Sequence, residues 1–252
     1  MFNESISIVI PAYNEQATIV SVVEEAREVL QSITRDYEVL VVDDGSTDET
    51  GAWADEVART DPAHVRVLHH ETNKGFAGAI KTCYANASKD WVFLAPADKQ
   101  VDLSELKNFV ALTDGMDIVV GYRKHRADGL RRELNSVVFH LLCRIFFDIR
   151  LKQISTSKLY RRAMLQSITL EAAPSSAMIE PEVIFKLMQR GARITQVGMN
   201  HYPRAAGKPK GTGARMIVNT FGEMFRLWWV LRVAPNTSPA PSSLASTTKE
   251  SR

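Results

Sequence analysis

Along the first hundred residues the apolar positions keep two alternating rhythms. Short, mainly apolar runs at 5–10, 39–42, 65–69 and 91–94 predict strands, and the β-branched run at 39–42 reads as a buried parallel-type strand. Between them apolar residues recur every three or four positions, as Ile19, Val22, Val23, Ala26, Val29 and Leu30 do, which predicts helices over 18–31, 47–60 and 77–87. Pro11 is expected to stop the first strand, because its ring cannot continue a ladder. Strand, helix and strand in repeated succession predict an alternating α/β array.

The second half is less regular. Strands are predicted at 117–120, 158–162 and 194–199, with helices at 130–147, 181–190 and 216–233, and Pro181 suits a first helical turn. The run H-Y-P-R-A-A-G-K-P-K-G-T-G, residues 201–213, holds too little apolar content to fold by itself. It reads either as a connector or as a basic lid over a site. The helix at 216–233 carries Phe221, Phe225, Trp228 and Trp229. Such a face suits a membrane interface, its own core or a second copy of the chain. Beyond Ala234 the Pro-, Ser- and Thr-rich composition predicts a disordered tail.

Composition narrows the class. With 252 residues and 45% apolar content, the chain has ample core for one large domain with appendages. Cys83 and Cys143 have neither a metal-ligand nor a disulfide-framework spacing, so a reducing compartment is expected. The opening Met1 to Ser5 is short and polar, unlike a secretory leader, and no run reaches the roughly 18 apolar residues a spanning helix needs. The formal charge of +2 hides an asymmetry: residues 1–121 carry 9 Lys and Arg against 21 Asp and Glu, and residues 122–252 carry 22 against 8. The second half is therefore a candidate surface for phosphates or anionic lipid. Nucleic acid is not expected as a partner, because the cations cluster in loops rather than forming a stripe with stacking aromatics. The six histidines, His69 and His70 included, form no convincing metal pattern.

Candidate chemistry gathers at the strand ends. Val39 to Val42 is cut off by Asp43, Asp44 and Gly45, and adjacent carboxylates point to opposite sides of a strand. One can begin the turn while the other faces a ligand; equally, both can serve the turn. Polar loops also follow Ile10 and Leu94, and a nucleotide fits the crevice such loops form. No G-x-G-x-x-G follows the first strand and no G-x-x-x-x-G-K-[ST] occurs, so neither a dinucleotide-binding dehydrogenase nor a P-loop enzyme has motif support.

Five stretches, I-V-I-P-A-Y-N-E, V-V-D-D-G-S-T-D, N-K-G-F-A-G, A-D-K-Q and R-A-A-G-K-P-K, in that order and spacing, resemble the family 2 glycosyltransferases. The narrower likeness is to dolichyl-phosphate mannosyltransferase and bacterial polyprenyl-phosphate glycosyltransferases. The resemblance implies the GT-A fold, a Rossmann-like, mixed but mostly parallel sheet flanked by helices, over residues 1–213. Residues 214–233 would form a separate aromatic and basic helix, and 234–252 the tail. It further implies that Pro11, Tyr13, Glu15, Val42, Asp44 and Ala97 meet the nucleotide sugar. Asp98 and Gln100 would hold a divalent ion, Mg or Mn, with the diphosphate. Arg123, Arg204 and Lys210 would approach the phosphates. Glu182 would face sugar and acceptor, with Asp98, Glu182, Arg204 and Lys210 the catalytic set. Apart from the resemblance, Arg131 and Arg132 at the start of an apolar helix, with Ser136, read either as a seat for an acceptor phosphate or as a solvated helix start.

The implied activity is inverting transfer of a sugar from a UDP- or GDP-sugar to a polyprenyl phosphate in cell-envelope glycan synthesis. The enzyme would be cytoplasmic and peripheral at the cytoplasmic face of a membrane, with an integral membrane partner or a second copy as further contacts. A polyprenyl phosphate needs no strong base, whereas a hydroxyl acceptor would need one, Glu182 first and Glu180 second. Two departures stand out. Pro96 occupies the first position of the usual Asp-x-Asp, and Lys152 and Ser157 stand where relatives carry Asp and an aromatic. A soluble transferase with a hydroxyl acceptor and a noncatalytic nucleotide-sugar scaffold are the competing readings.

Overall fold

A computed structural model describes residues 1–124, 130–154, 156–174, 176–200, 202 and 214–233, with backbone alone at 130–135 and 214–218. Arg204, Lys210 and the tail, like the side chains of Arg131 and Arg132, lie outside the described residues. The first half alternates β1 (Ile6–Ala12), α1 (Ile19–Ile33), β2 (Tyr37–Asp43), α2 (Thr50–Thr60), β3 (Val65–His69), α3 (Gly75–Asn86) and β4 (Trp91–Leu94). There follow α4 (Leu106–Val110), entered through a 3-10 turn, β5 (Ile118–Arg123), α5 (Leu130–Phe147), β6 (Lys158–Arg161) and α6 (Arg162–Leu165). Last come α7 (Ile179–Gln189), β7 (Ile194–Met199) and α8 (Ala214–Trp228), which runs on as a π-helical turn.

The seven strands form one sheet in the order β3-β2-β1-β4-β6-β5-β7. Six run in one direction and β6 alone is opposed. This is the mixed, mostly parallel α/β sheet of the GT-A type. Alternate residues feed two cores. Ile6, Ile8, Ile10, Val39, Val41, Trp91 and Phe93 pack under α1 and α2, whereas Val9, Leu40, Val42, Val92 and Leu94 pack under α3, α5 and α7. Burial on both faces explains why the central strands read as unbroken apolar runs.

Pro11 does not stop β1, which continues to Ala12 opposite Asp43. Val9 O accepts from Ala95 N, so Pro11, two residues on, turns its nitrogen to the β4 side. The β4 ladder has already ended at Leu94, and no donor is missed there. α2 begins three residues later than predicted because Asp48 Oδ1 accepts from Thr50 N at 3.0 Å and closes a turn. α8 docks on the body: Met224 and Leu227 are buried in the second core, and the rings of Phe146 and Trp228 meet edge-on at 5.7 Å.

Candidate functional site

Because six strands are parallel, the loops after β1, β2, β4, β5 and β7 leave the same edge of the sheet, where β6 begins. The loops after β1 and β2 are laced together. Asn14 N donates to Ser46 Oγ at 2.9 Å, Thr47 N to Asn14 Oδ1 at 2.8 Å and Glu15 N to Thr50 Oγ1 at 2.8 Å. Asn14 takes a positive φ of 51° to do so, a conformation asparagine tolerates better than most residues. On the other side, Tyr202 N donates to Gln100 O at 3.0 Å, which ties the chain after β7 to the turn after β4.

Between these loops lies a cavity of about 240 Å³ lined by Pro11, Pro96, Gln100 and Arg123, with Phe76 and Ala177 among its other walls. Lys158 and Glu180 also line it, and they form a buried ion pair, Nζ to Oε2, at 2.7 Å. Tyr84 and Tyr160 donate to the two Glu180 oxygens at 2.6 and 2.8 Å. Burial, with the Glu180 charge beside them, holds both phenols far above their ordinary pKa, so they remain donors.

The cavity thus brings together Pro11, Gln100 and Arg123 from the expected set. Asp98 adjoins it, its Oδ1 accepting from Gln100 N at 3.1 Å, and Ala97 is buried beside Asp98. Tyr13 and Glu15 stand on the laced β1 loop. Val42 is a fully buried core side chain, which leaves only its main chain to meet a ligand. Asp43 and Asp44 do face opposite sides of β2, and each carboxylate is hydrogen-bonded within the scaffold. Asp43 Oδ1 accepts from Ser46 N, and Asp43 Oδ2 lies 3.1 Å from His69 Nδ1. Asp44 Oδ1 accepts from Lys74 N at 2.8 Å and lies 2.6 Å from His70 Nδ1.

Glu182 departs from expectation. It is fully buried, accepts from Glu171 N and Ala172 N at 2.6 and 2.7 Å, pairs with Lys186 at 2.8 Å, and does not line the cavity. The helical step from 180 to 182 turns the side chain by about 200°, so the carboxylate that reaches the cavity is Glu180. Ser136 is not in the cavity wall either; its Oγ lies 3.4 Å from His140 Nδ1. Sequence reading passed over Phe76 and Lys158. A lysine opening the short strand K-L-Y-R was the available signal for Lys158.

The profile described as glycosyl transferase family 2 matches residues 7–172. The chain belongs to that family. Among its relatives is the undecaprenyl-phosphate 4-deoxy-4-formamido-L-arabinose transferase of Salmonella choleraesuis strain SC-B67. It is 26% identical over 216 residues, which cover 85% of this chain and 64% of the relative. The chain therefore spans less than two-thirds of that protein. Similar solved structures include glucosyl-3-phosphoglycerate synthase of Mycobacterium tuberculosis with Mn²⁺, UDP-glucose and phosphoglyceric acid. Its TM-score is 0.69 at 22% identity, over 89% of this chain and 80% of that one. The same enzyme with Mg²⁺ and UDP gives a TM-score of 0.67 at 22% identity, over 88% and 79%. These likenesses establish the fold.

Among the described residues no three His, Cys, Asp or Glu side chains cluster as a ready metal cage. With Pro96 in place of the first Asp, Asp98 offers one carboxylate at the end of β4. A single carboxylate fits a hard divalent ion that draws its other ligands from substrate phosphates and water. Asp98 with the Gln100 side chain would be the pair to hold such an ion. No helix among the described residues is long and apolar enough to cross a membrane.

Proposed function

We propose that this family 2 glycosyltransferase moves a sugar, with inversion, from a nucleotide diphosphate sugar to a polyprenyl phosphate. One observation carries the choice of acceptor: both glutamates nominated as bases are engaged by three donors each. Glu182 holds two main-chain amides and Lys186, and Glu180 holds Tyr84, Tyr160 and Lys158. A hydroxyl acceptor needs a group to take its proton. A phosphate acceptor arrives with an anionic oxygen and needs none.

In this reading the acceptor oxygen bonds to the anomeric carbon while the bond from that carbon to the diphosphate breaks on the opposite face. The departing electron pair stays on the diphosphate. Arg123, with Arg204 and Lys210, offsets that charge as it develops. A divalent ion held by Asp98 and Gln100 would add Lewis-acid stabilisation of the same oxygens. Pro11, Tyr13, Glu15, Asp44 and the main chain of Val42 and Ala97 receive the nucleoside, and Arg131, Arg132 and Ser136 seat the acceptor phosphate.

A lipid acceptor also suits the surface. Val137, Leu141 and Ile145 form an exposed stripe at helical spacing on α5, and Phe221, Phe225, Trp229 and Val233 form one along α8 and its π-helical end. The two helices touch through Phe146 and Trp228. Paired apolar stripes of this kind favour peripheral docking in a bilayer interface, with the cytoplasmic face as the expected side. The polyprenyl-phosphate relative supports the same acceptor class.

The test is transfer of labelled sugar from a UDP- and GDP-sugar panel, with Mg²⁺ or Mn²⁺ and a short polyprenyl phosphate. An organic-extractable, mild-acid-labile product is expected. A water-soluble glycoside made without the lipid phosphate would contradict the acceptor, and donor binding without any turnover would favour a scaffold.

A further inference from the structure

The Glu180 network joins four side chains from three elements, Tyr84 on α3, Lys158 and Tyr160 on β6, and Glu180 on α7, around one carboxylate. Lys158 is inaccessible to solvent, and its Nζ also donates to Thr156 O at 2.7 Å. Apolar packing of similar volume would stabilise a core at least as well as a buried ion pair. What the network adds is position: a carboxylate fixed by three donors where it borders the cavity. Glu182, two residues on, is just as fully bonded yet does not border this cavity, so burial of a glutamate on α7 does not by itself create this arrangement.

The cavity itself is small and mostly apolar. At about 240 Å³ it falls below the roughly 300–1,000 Å³ of sites that take drug-sized ligands, which fits one sugar ring rather than a nucleoside or a second sugar. Phe76 stands at its wall, 55% exposed, on the first turn of α3. That turn is clamped, Ala77 N and Gly78 N donating to Pro174 O at 2.8 and 3.2 Å, so the ring is carried on a fixed support. An aromatic ring and a fixed acceptor on one small cavity match a pyranose, which offers C–H groups on one face and hydroxyls at its rim.

We infer that Glu180 reads the donor sugar: it accepts a hydrogen bond from one ring hydroxyl, Phe76 supports the ring, and Lys158, Tyr84 and Tyr160 position the carboxylate. This specificity determinant rests on the donor reading above. It assigns Glu180 to selection rather than to proton removal, in keeping with an acceptor that arrives anionic.

The test is calorimetric binding of UDP, GDP, UDP-glucose, GDP-mannose and their monodeoxy analogues to the full chain, with thermal melting to check folding. At one ring position wild type is expected to favour the hydroxylated sugar over its deoxy analogue by about tenfold or more, as a site built to bond a hydroxyl does. In Glu180→Gln that preference falls to within about twofold at that position only, while affinity for the bare nucleotide is unchanged. Phe76→Ala weakens every nucleotide sugar and spares the nucleotide. If Glu180→Gln does not fold, Tyr160→Phe, which removes one positioning donor, gives a smaller loss of preference in the same direction. A preference that survives in the folded variant, or nucleotide affinity falling in step with sugar affinity, overturns the inference and leaves the donor reading intact. Failure of every nucleotide to bind wild type overturns both.

Discussion

The main-chain N–H of Tyr202 donates to the carbonyl of Gln100 across 3.0 Å, so the approach to the basic stretch 203–213 is pinned to the turn that carries Asp98. In the proposed reading Arg204 and Lys210 offset the charge that develops on the diphosphate. Lys210→Ala and Arg204→Ala are accordingly expected to lower kcat by about 10²-fold, the scale of losing one electrostatic stabiliser, without moving the melting temperature. Steady-state kinetics with thermal melts checks this, and a matching loss of stability would point to a structural role instead.

Asp98 is the one carboxylate assigned to the ion, since Pro96 replaces its usual partner. Asp98→Ala should therefore abolish the response of turnover to added Mn²⁺ or Mg²⁺ and reduce the maximal rate by at least about 10²-fold. Metal titration of wild type and variant decides it. A variant that keeps the wild-type metal response would place the ion elsewhere.

Lys158 has no exposure, and removing its charge strands Glu180 with only the two tyrosines. Breaking one side of a buried pair costs about 3–5 kcal/mol, so Lys158→Met should lower the melting temperature by roughly 10 °C. Lys158→Met with Glu180→Met should recover part of that loss. Differential scanning calorimetry of the single and double variants measures the coupling.

The fold was largely written in apolar rhythm. β2, β3, β4 and β7 and the helix α5 lie where spacing predicts; β2 and β4 are the plainest, because strands buried on both faces must be apolar at nearly every position. The opposed direction of β6 was not legible, since four residues, K-L-Y-R, carry no mark of their neighbours. α4 was missed because five residues are too few to display a period. Pro11, Gln100 and Arg123, named from motifs, line one cavity. Glu182 was misplaced relative to Glu180 because sequence alone does not tell which of two glutamates on one helix turn faces a cavity. Phe76 and Lys158 became visible only when three strand ends met.

His69 sits between two carboxylates, with Nε2 3.0 Å from Asp55 Oδ1 and Nδ1 3.1 Å from Asp43 Oδ2. Burial disfavours the imidazolium, yet the bonds to Asp55 and Asp43 outweigh it and raise the pKa above its ordinary value. The resulting stabilisation is fully present below about pH 6.5, the unfolded value, and is lost as pH rises through the higher folded value. The ring is 44% exposed, so the effect should be under about 1 kcal/mol. Urea unfolding at pH 6 and pH 8.5 should show wild type losing more stability than His69→Gln over that interval. Equal losses would remove His69 from the account.

The central claim is that the ends of β1, β2 and β4 form one cleft for a nucleotide sugar, and amide hydrogen exchange with and without donor tests it most directly. With the UDP- or GDP-sugar that supports binding, residues 11–15, 43–46 and 96–101 should gain protection together, and the same segments should respond less in Asp98→Ala. Protection confined to one of them, or centred on another face of the sheet, would contradict the account.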